Sequence, residues 1–179
     1  MISSLEEARR WYAGVKVLAQ DMERLGRKYW DAEPWASVLS RDNKFRHRDS
    51  TDLLVQAENV LANLDDLGVL LMFSVFEAIV RERIRTDVDA SLPPKLHPAV
   101  EHAVNGLKRE IDVGSIKRVM ESIRSMAPNL VEEVNQVRVY RNWVAHGRRG
   151  KQPALVDPTS AYDRLSDFLI QMAKAVPDA

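Results

Sequence analysis

Near the C-terminus, Arg141, Asn142 and His146 stand within six positions of one another. A guanidinium keeps its charge at any working pH and offers a planar fork of donors that fits two phosphate oxygens. An imidazole can both take and give a proton near neutrality, and a carboxamide can orient either partner. Asn142 and His146 are four apart, so on a helix they share a face. His146 would fall in the last turn, where the carbonyl end of a helix favours the imidazolium. Arg138, Arg148, Arg149 and Lys151 surround the group with positive charge. The set suits a phosphodiester: the Arg holds non-bridging oxygens and the added charge of a phosphorane. The His moves protons on the ribose hydroxyl or the leaving oxygen. Taken without its neighbours, His146 reads as a helix-terminal residue that steadies the dipole by a few tenths to about 1 kcal/mol.

A wheel at 100° per residue sharpens the case for Arg141. Leu130, Val134, Val137 and Val144 fall on one stripe, with Arg141 in its middle. A guanidinium there must be paired and hydrogen-bonded, or must line a cleft open to a ligand. Glu77 is a second exception, interrupting the stripe formed by Phe73, Val80 and Ile84. The simplest joint account packs the two helices face to face, so that Glu77 meets Arg141 and fixes it. The alternative is two narrower stripes whose charged side chains snorkel to water. Val139 and Trp143 lie opposite Arg141 on the wheel, to be covered either by a partner chain or by another helix of the same chain.

The segment Arg141-Asn142-Trp143-Val144-Ala145-His146 resembles the HEPN superfamily pattern, an Arg followed by a polar residue and, a few positions on, a His, near the end of a late helix. Val139-Tyr140 before it, Gly147 after it and the Phe76-Glu77 helix fit as well. The resemblance loosely covers Leu53 to Met172. It implies an all-α bundle that dimerises and cleaves RNA by attack of the ribose 2′-hydroxyl, without a metal or other cofactor. His146 would handle protons, Arg141 stabilise the transition state and Asn142 orient the phosphate or the His. Arg138, Arg148, Arg149 and Lys151 would bind RNA. Such proteins often act as toxins or in phage defence, so an antitoxin or regulatory protein is a further expected partner. The alternative is a non-catalytic HEPN-like module that binds RNA, a nucleotide or a protein through the same cleft; a third class is a purely structural dimerisation domain. One histidine per subunit leaves acid and base roles to be shared, which a two-fold homodimer would do.

Other constellations fare worse. Arg41-Asp42 followed by His47 satisfies the same pattern, but in an irregular stretch with no apolar stripe. His97 and His102 beside Glu101 suggest a zinc helix, yet a five-residue step sets two imidazoles about 140° apart, and His97 precedes Pro98. No Gly-rich phosphate loop and no Gly-x-Ser-x-Gly elbow occurs. Lys44 to Arg48, with Phe45 inside, is a run that can stack and neutralise single-stranded RNA, although such charged loops are more often simply solvated.

The elements that must position these residues are helical. Periodicity near 3.6 recurs throughout, and alternating β-branched runs are few. The reading is six helices in a single domain spanning 1–179. The first is capped by Ser4 and Glu7 and carries Ala8, Tyr12, Val15, Ala19 and Met22. An irregular basic excursion over 31–49, a loop or short helix, precedes a long helix from about Asp52 to Val88. That helix shows Leu53, Ala57, Val60, Leu64, Leu67 and Leu71, then Phe73, Phe76, Val80 and Ile84, with Gly68 as a place to bend. A third opens at Pro98, and Ser115 caps a short fourth. The fifth runs from near Pro128 to a Gly147 cap, and a sixth follows Asp157-Pro158. At 179 residues and 45% hydrophobic the chain can bury one sizeable core. Lys plus Arg and Asp plus Glu balance at 26 each, so any nucleic-acid site must be a local patch. The absence of cysteine excludes a disulfide framework, a zinc knuckle and a thiol nucleophile, and is compatible with the cytoplasm. Met1 to Arg10 is too polar for a secretory core. The apolar run Leu67 to Phe76 is too short to span a membrane, so no membrane partner is expected.

Overall fold

A computed structural model describes residues 2–121 and 128–174. Among them every regular element is an α-helix: α1 (Leu5–Lys28), α2 (Trp35–Leu39), α3 (Ser50–Ala90), α4 (Pro98–Val113), α5 (Ile116–Glu121), α6 (Pro128–Ala145) and α7 (Pro158–Lys174). The helix beyond the expected six is α2, five residues inside the stretch read as an excursion. No described helix is long and apolar enough to cross a membrane. The described residues form two compact units. One comprises the residues up to Ala8 with those from Val69 onward, and the other is Arg9–Gly68.

The capped start of α1 belongs to the larger unit, and within the smaller unit the rest of α1 packs along the first part of α3. At the cap, the Glu7 amide donates to Ser4 Oγ at 3.1 Å and the Ser4 amide to Glu7 Oε2 at 3.3 Å, the reciprocal pair expected of the motif. Downstream, the Tyr12 hydroxyl donates to Asp65 Oδ1 at 2.5 Å, and Lys16 Nζ lies 3.1 Å from the same oxygen. Burial, then the bond to Asp65, pushes the Tyr12 phenol above its ordinary value. The Tyr12 ring rests on Gly68, where an added Cβ would come within 2.7 Å of Tyr12 Cδ2. Gly68 therefore serves a close approach of the Tyr12 ring within α3. Phe45 packs edge-on against buried Trp30, centroids 5.8 Å apart.

The larger unit holds the main core. Val69, Met72, Phe73, Phe76 and Val80 of α3 are fully covered, as are Val134 and Val137 of α6 and Leu165 of α7. Phe76 meets Phe168 of α7 edge-to-face at 5.4 Å, and Tyr162 of α7 donates to Glu6 Oε2 in the first turn of α1 at 3.0 Å. Each such buried side chain stabilises by about 1.5–3 kcal/mol relative to exposure. In this unit a buried line of α3 advances by fours, from Met72 through Phe76 to Val80. Each step of four turns the face by about 40°, so the stripe winds around the helix. In the smaller unit Leu53, Ala57 and Leu64 of α3 are buried, whereas Val60 and Leu67, expected inward from three-and-four spacing, are 42% and 50% exposed.

At the start of α7, Asp157 Oδ1 accepts from the Thr159 and Ser160 amides, both at 3.0 Å, and Oδ2 from the Ser160 hydroxyl at 2.6 Å. The Ser160 hydroxyl, then the backbone amides, hold this carboxyl below its ordinary value. A depressed folded value means that the cap's contribution is whole above the unfolded carboxyl range and fades as pH falls through the lowered one. Asp157→Ala should cost about 1 kcal/mol in urea denaturation at neutral pH. The difference from the parent should shrink in acid; equal stability at neutral pH would remove the cap from this account. Gly68→Ala should cost about 1–3 kcal/mol by pushing the Tyr12 ring off its seat, and an unchanged melting curve would contradict that contact.

Candidate functional site

On α6 the buried positions are Val131, Val134, Val137 and Tyr140, three apart throughout. Leu130 and Val144, expected on the same stripe, are only half-buried. A step of three falls about 60° short of a full turn, so the buried line passes through Tyr140 and leaves Arg141 on its margin. That position still presents Arg141 to the core. Its guanidinium carbon lies 5.3 Å from the centroid of buried Phe73, and its side chain is 28% exposed. It neither sits at the centre of an apolar face nor reaches out into bulk water.

The guanidinium is gripped on two sides. Nη1 donates to Asn142 Oδ1 at 3.0 Å, and Nη2 lies 3.6 Å from Glu77 Oε2. Nε is buried with no hydrogen-bond partner among the described residues. The expected meeting of Glu77 and Arg141 across α3 and α6 is thus present, as an ion pair longer than a direct hydrogen bond. Asn142 touches the Arg, where the sequence had assigned it to the phosphate or the His.

Glu77 has a closer partner that sequence reasoning passed over. Arg81, one turn along α3, donates to Glu77 Oε1 from Nη2 at 2.6 Å and from Nε at 3.2 Å. The same guanidinium donates to the Ile111 carbonyl and, at 2.8 Å, to the Gly114 carbonyl at the end of α4. One carboxylate is thereby shared by two permanent cations, with side chains 17% (Arg81), 23% (Glu77) and 28% (Arg141) exposed. The four-residue step from Glu77 to Arg81 is the signal that could have disclosed it.

His146 closes α6. Its amide donates to the Asn142 carbonyl at 3.0 Å; the next two amides turn back, Gly147 to Val144 at 3.0 Å and Arg148 to Trp143 at 2.8 Å. Gly147 adopts φ +72° and Arg148 φ +59°. This is a Schellman stop, in which a left-handed glycine satisfies carbonyls that the helix end leaves open. The His146 side chain is exposed on this corner. Arg149 and Lys151 follow on exposed backbone along with Arg148, while Arg138 is folded onto Asn135 Oδ1 at 3.0 and 2.8 Å. Trp143 is half-buried, its ring 5.9 Å from that of Tyr140 and its Nε1 buried without a partner among the described residues; Val139 is 39% exposed.

The competing constellations are placed elsewhere. Arg41 and His47 stand on exposed turns, with Arg46 Nε donating to His47 Nε2 at 2.9 Å. Phe45, read as a ring for stacking bases, is instead half-buried against Trp30. His97 is the N-cap of α4, its Nδ1 accepting from the Ala99 amide at 3.3 Å. Among the described residues no three His, Asp or Glu side chains gather as a metal would need.

Removing Glu77 would leave two cations facing each other across the place it filled. Glu77→Ala should lower stability by about 2–3 kcal/mol, short of the ~3–5 kcal/mol of a fully desolvated pair because all three side chains keep some water. Chemical denaturation checks this, and a loss within experimental error would show that the carboxylate does not hold the two helices.

No family model, no curated protein and no solved structure matches this chain.

Proposed function

We propose that the chain is a metal-independent endoribonuclease of HEPN type, with Arg141 and His146 as its working groups. The observation that carries the reading is the state of Arg141: a permanent charge held at the edge of the core by Glu77 and Asn142, yet 28% exposed. A cation placed in this way costs little to reorganise when charge develops beside it. Its remaining donors suit the non-bridging oxygens of a phosphodiester.

In the proposed reaction the ribose 2′-oxygen attacks the adjacent phosphorus and loses its proton to the imidazole of one His146. The bond from phosphorus to the 5′-oxygen breaks, and that oxygen takes a proton from an imidazolium. The products are a 2′,3′-cyclic phosphate and a 5′-hydroxyl. Arg141 stabilises the charge on the phosphorane between the two steps. A homodimer that brings two copies of the motif to one cleft would divide the acid and base roles. The cations at Arg148, Arg149 and Lys151 lie on the backbone next after His146, where an RNA strand leaving the scissile position would pass. A role as a toxin or defence effector, with an antitoxin as partner, belongs to the same reading.

One feature favours the binding-only alternative. The imidazole of His146 is exposed and no hydrogen bond orients it among the described residues, whereas proton transfer needs a fixed geometry.

End-labelled RNA incubated with the purified protein in excess chelator separates the two readings. Cleavage is expected to persist in chelator, to yield cyclic-phosphate ends and to vanish in His146→Ala and Arg141→Ala, both folded by circular dichroism. Cutting that survives His146→Ala would place the activity elsewhere. Binding without cutting by the parent protein would leave the module reading in its place.

A further inference from the structure

Glu77 cannot serve Arg81 and Arg141 equally, and the distances show which it serves. Arg81 takes Oε1 with two hydrogen bonds, at 2.6 and 3.2 Å, the shorter of charge-assisted length, while Arg141 is left at 3.6 Å from Oε2. Arg81 is itself immobilised by the Ile111 and Gly114 carbonyls, so its fork is aimed before it meets the carboxylate. From this geometry we infer that Arg81 is a positioning residue: by holding and neutralising Glu77 it keeps the carboxylate from closing onto Arg141, whose donors stay available to a phosphate oxygen. The trio carries a net charge of +1, two guanidiniums less one carboxylate. Without Arg81 the same space would hold a neutral, mutually satisfied Glu77–Arg141 pair with little left to offer an anion. The inference rests on the proposed function only for the identity of that anion.

The expected behaviour has a sign that a merely structural role would not produce. Arg81→Gln, which can still donate to a carbonyl of α4, should weaken binding of a 2′-O-methyl oligoribonucleotide, which cannot be cut, by about tenfold, the order of one charge-assisted contact. Adding Glu77→Gln to that variant should restore most of the affinity, because a neutral amide no longer competes for Arg141. In parallel, the ¹⁵N side-chain resonances of Arg141 should move in Arg81→Gln, as the pair closes, and return in the double variant. Unchanged affinity and unchanged Arg141 resonances in Arg81→Gln would overturn the inference, as would a double variant as weak as the single one. Should the parent protein not bind the oligonucleotide, the ribonuclease reading fails and the resonances alone decide: movement supports control of the pair by Arg81, and stasis refutes it. If Arg81→Gln does not fold, Arg81→Lys takes its place, with a single ammonium in place of the fork; a smaller shift in the same direction is then expected, and none refutes the idea.

Discussion

The larger unit depends on how a permanent positive charge is accommodated beside a wall of phenylalanine. Arg141 cannot lose its proton, and the margin of α6 places it over Phe73, where an unpaired charge would be costly. The fold meets this constraint with one carboxylate shared between two guanidiniums and with a carboxamide from the next residue in sequence. Because water still reaches all three ionised side chains, the arrangement stabilises without sealing the charge away. A sealed pair would be a structural device alone, whereas a partly open one can also be a site.

Each participant is delivered by an ordinary feature of its helix. Phe73, Glu77 and Arg81 follow one another at four-residue steps on α3, so the apolar floor, the carboxylate and its anchor share one winding face. The C-terminal end of α4 supplies two carbonyls that fix Arg81, a use of groups that a helix end leaves open. On α6 a line of buried side chains at steps of three ends in Tyr140 and sets Arg141 at its border. A glycine in left-handed conformation stops that helix and leaves His146 on the exposed corner.

Much of this was legible in the sequence, and the remainder shows where periodicity stops being informative. Helix starts were legible because they are written locally: Ser4 with Glu7, Pro98 and Asp157-Pro158 each act within one turn. The pairing of Glu77 with Arg141 followed from finding two charges where apolar residues were due. The faces were less legible. Steps of three rotate the buried line of α6 toward Tyr140, and a fixed wheel misses this, which is why Arg141 stands at the border of that line and not in its middle; on α3 three-and-four spacing alone does not tell that Val60 and Leu67 face water. Arg81 was overlooked because a Glu–Arg pair four apart looks like a solvated surface pair until the α4 carbonyls come into view. Phe45 looked like a stacking ring only because nothing local indicates that Trp30 lies against it.

The central claim, that Arg141 is a held but usable charge working with His146 on a phosphodiester, is tested most directly by a crystal structure with a 2′-O-methyl RNA. The account predicts a phosphate oxygen about 3 Å from the Arg141 guanidinium, with a His146 imidazole at similar distance from the oxygen on C2′ of the same nucleotide. RNA bound on another face, or Arg141 closed onto Glu77 with no phosphate beside it, would contradict it.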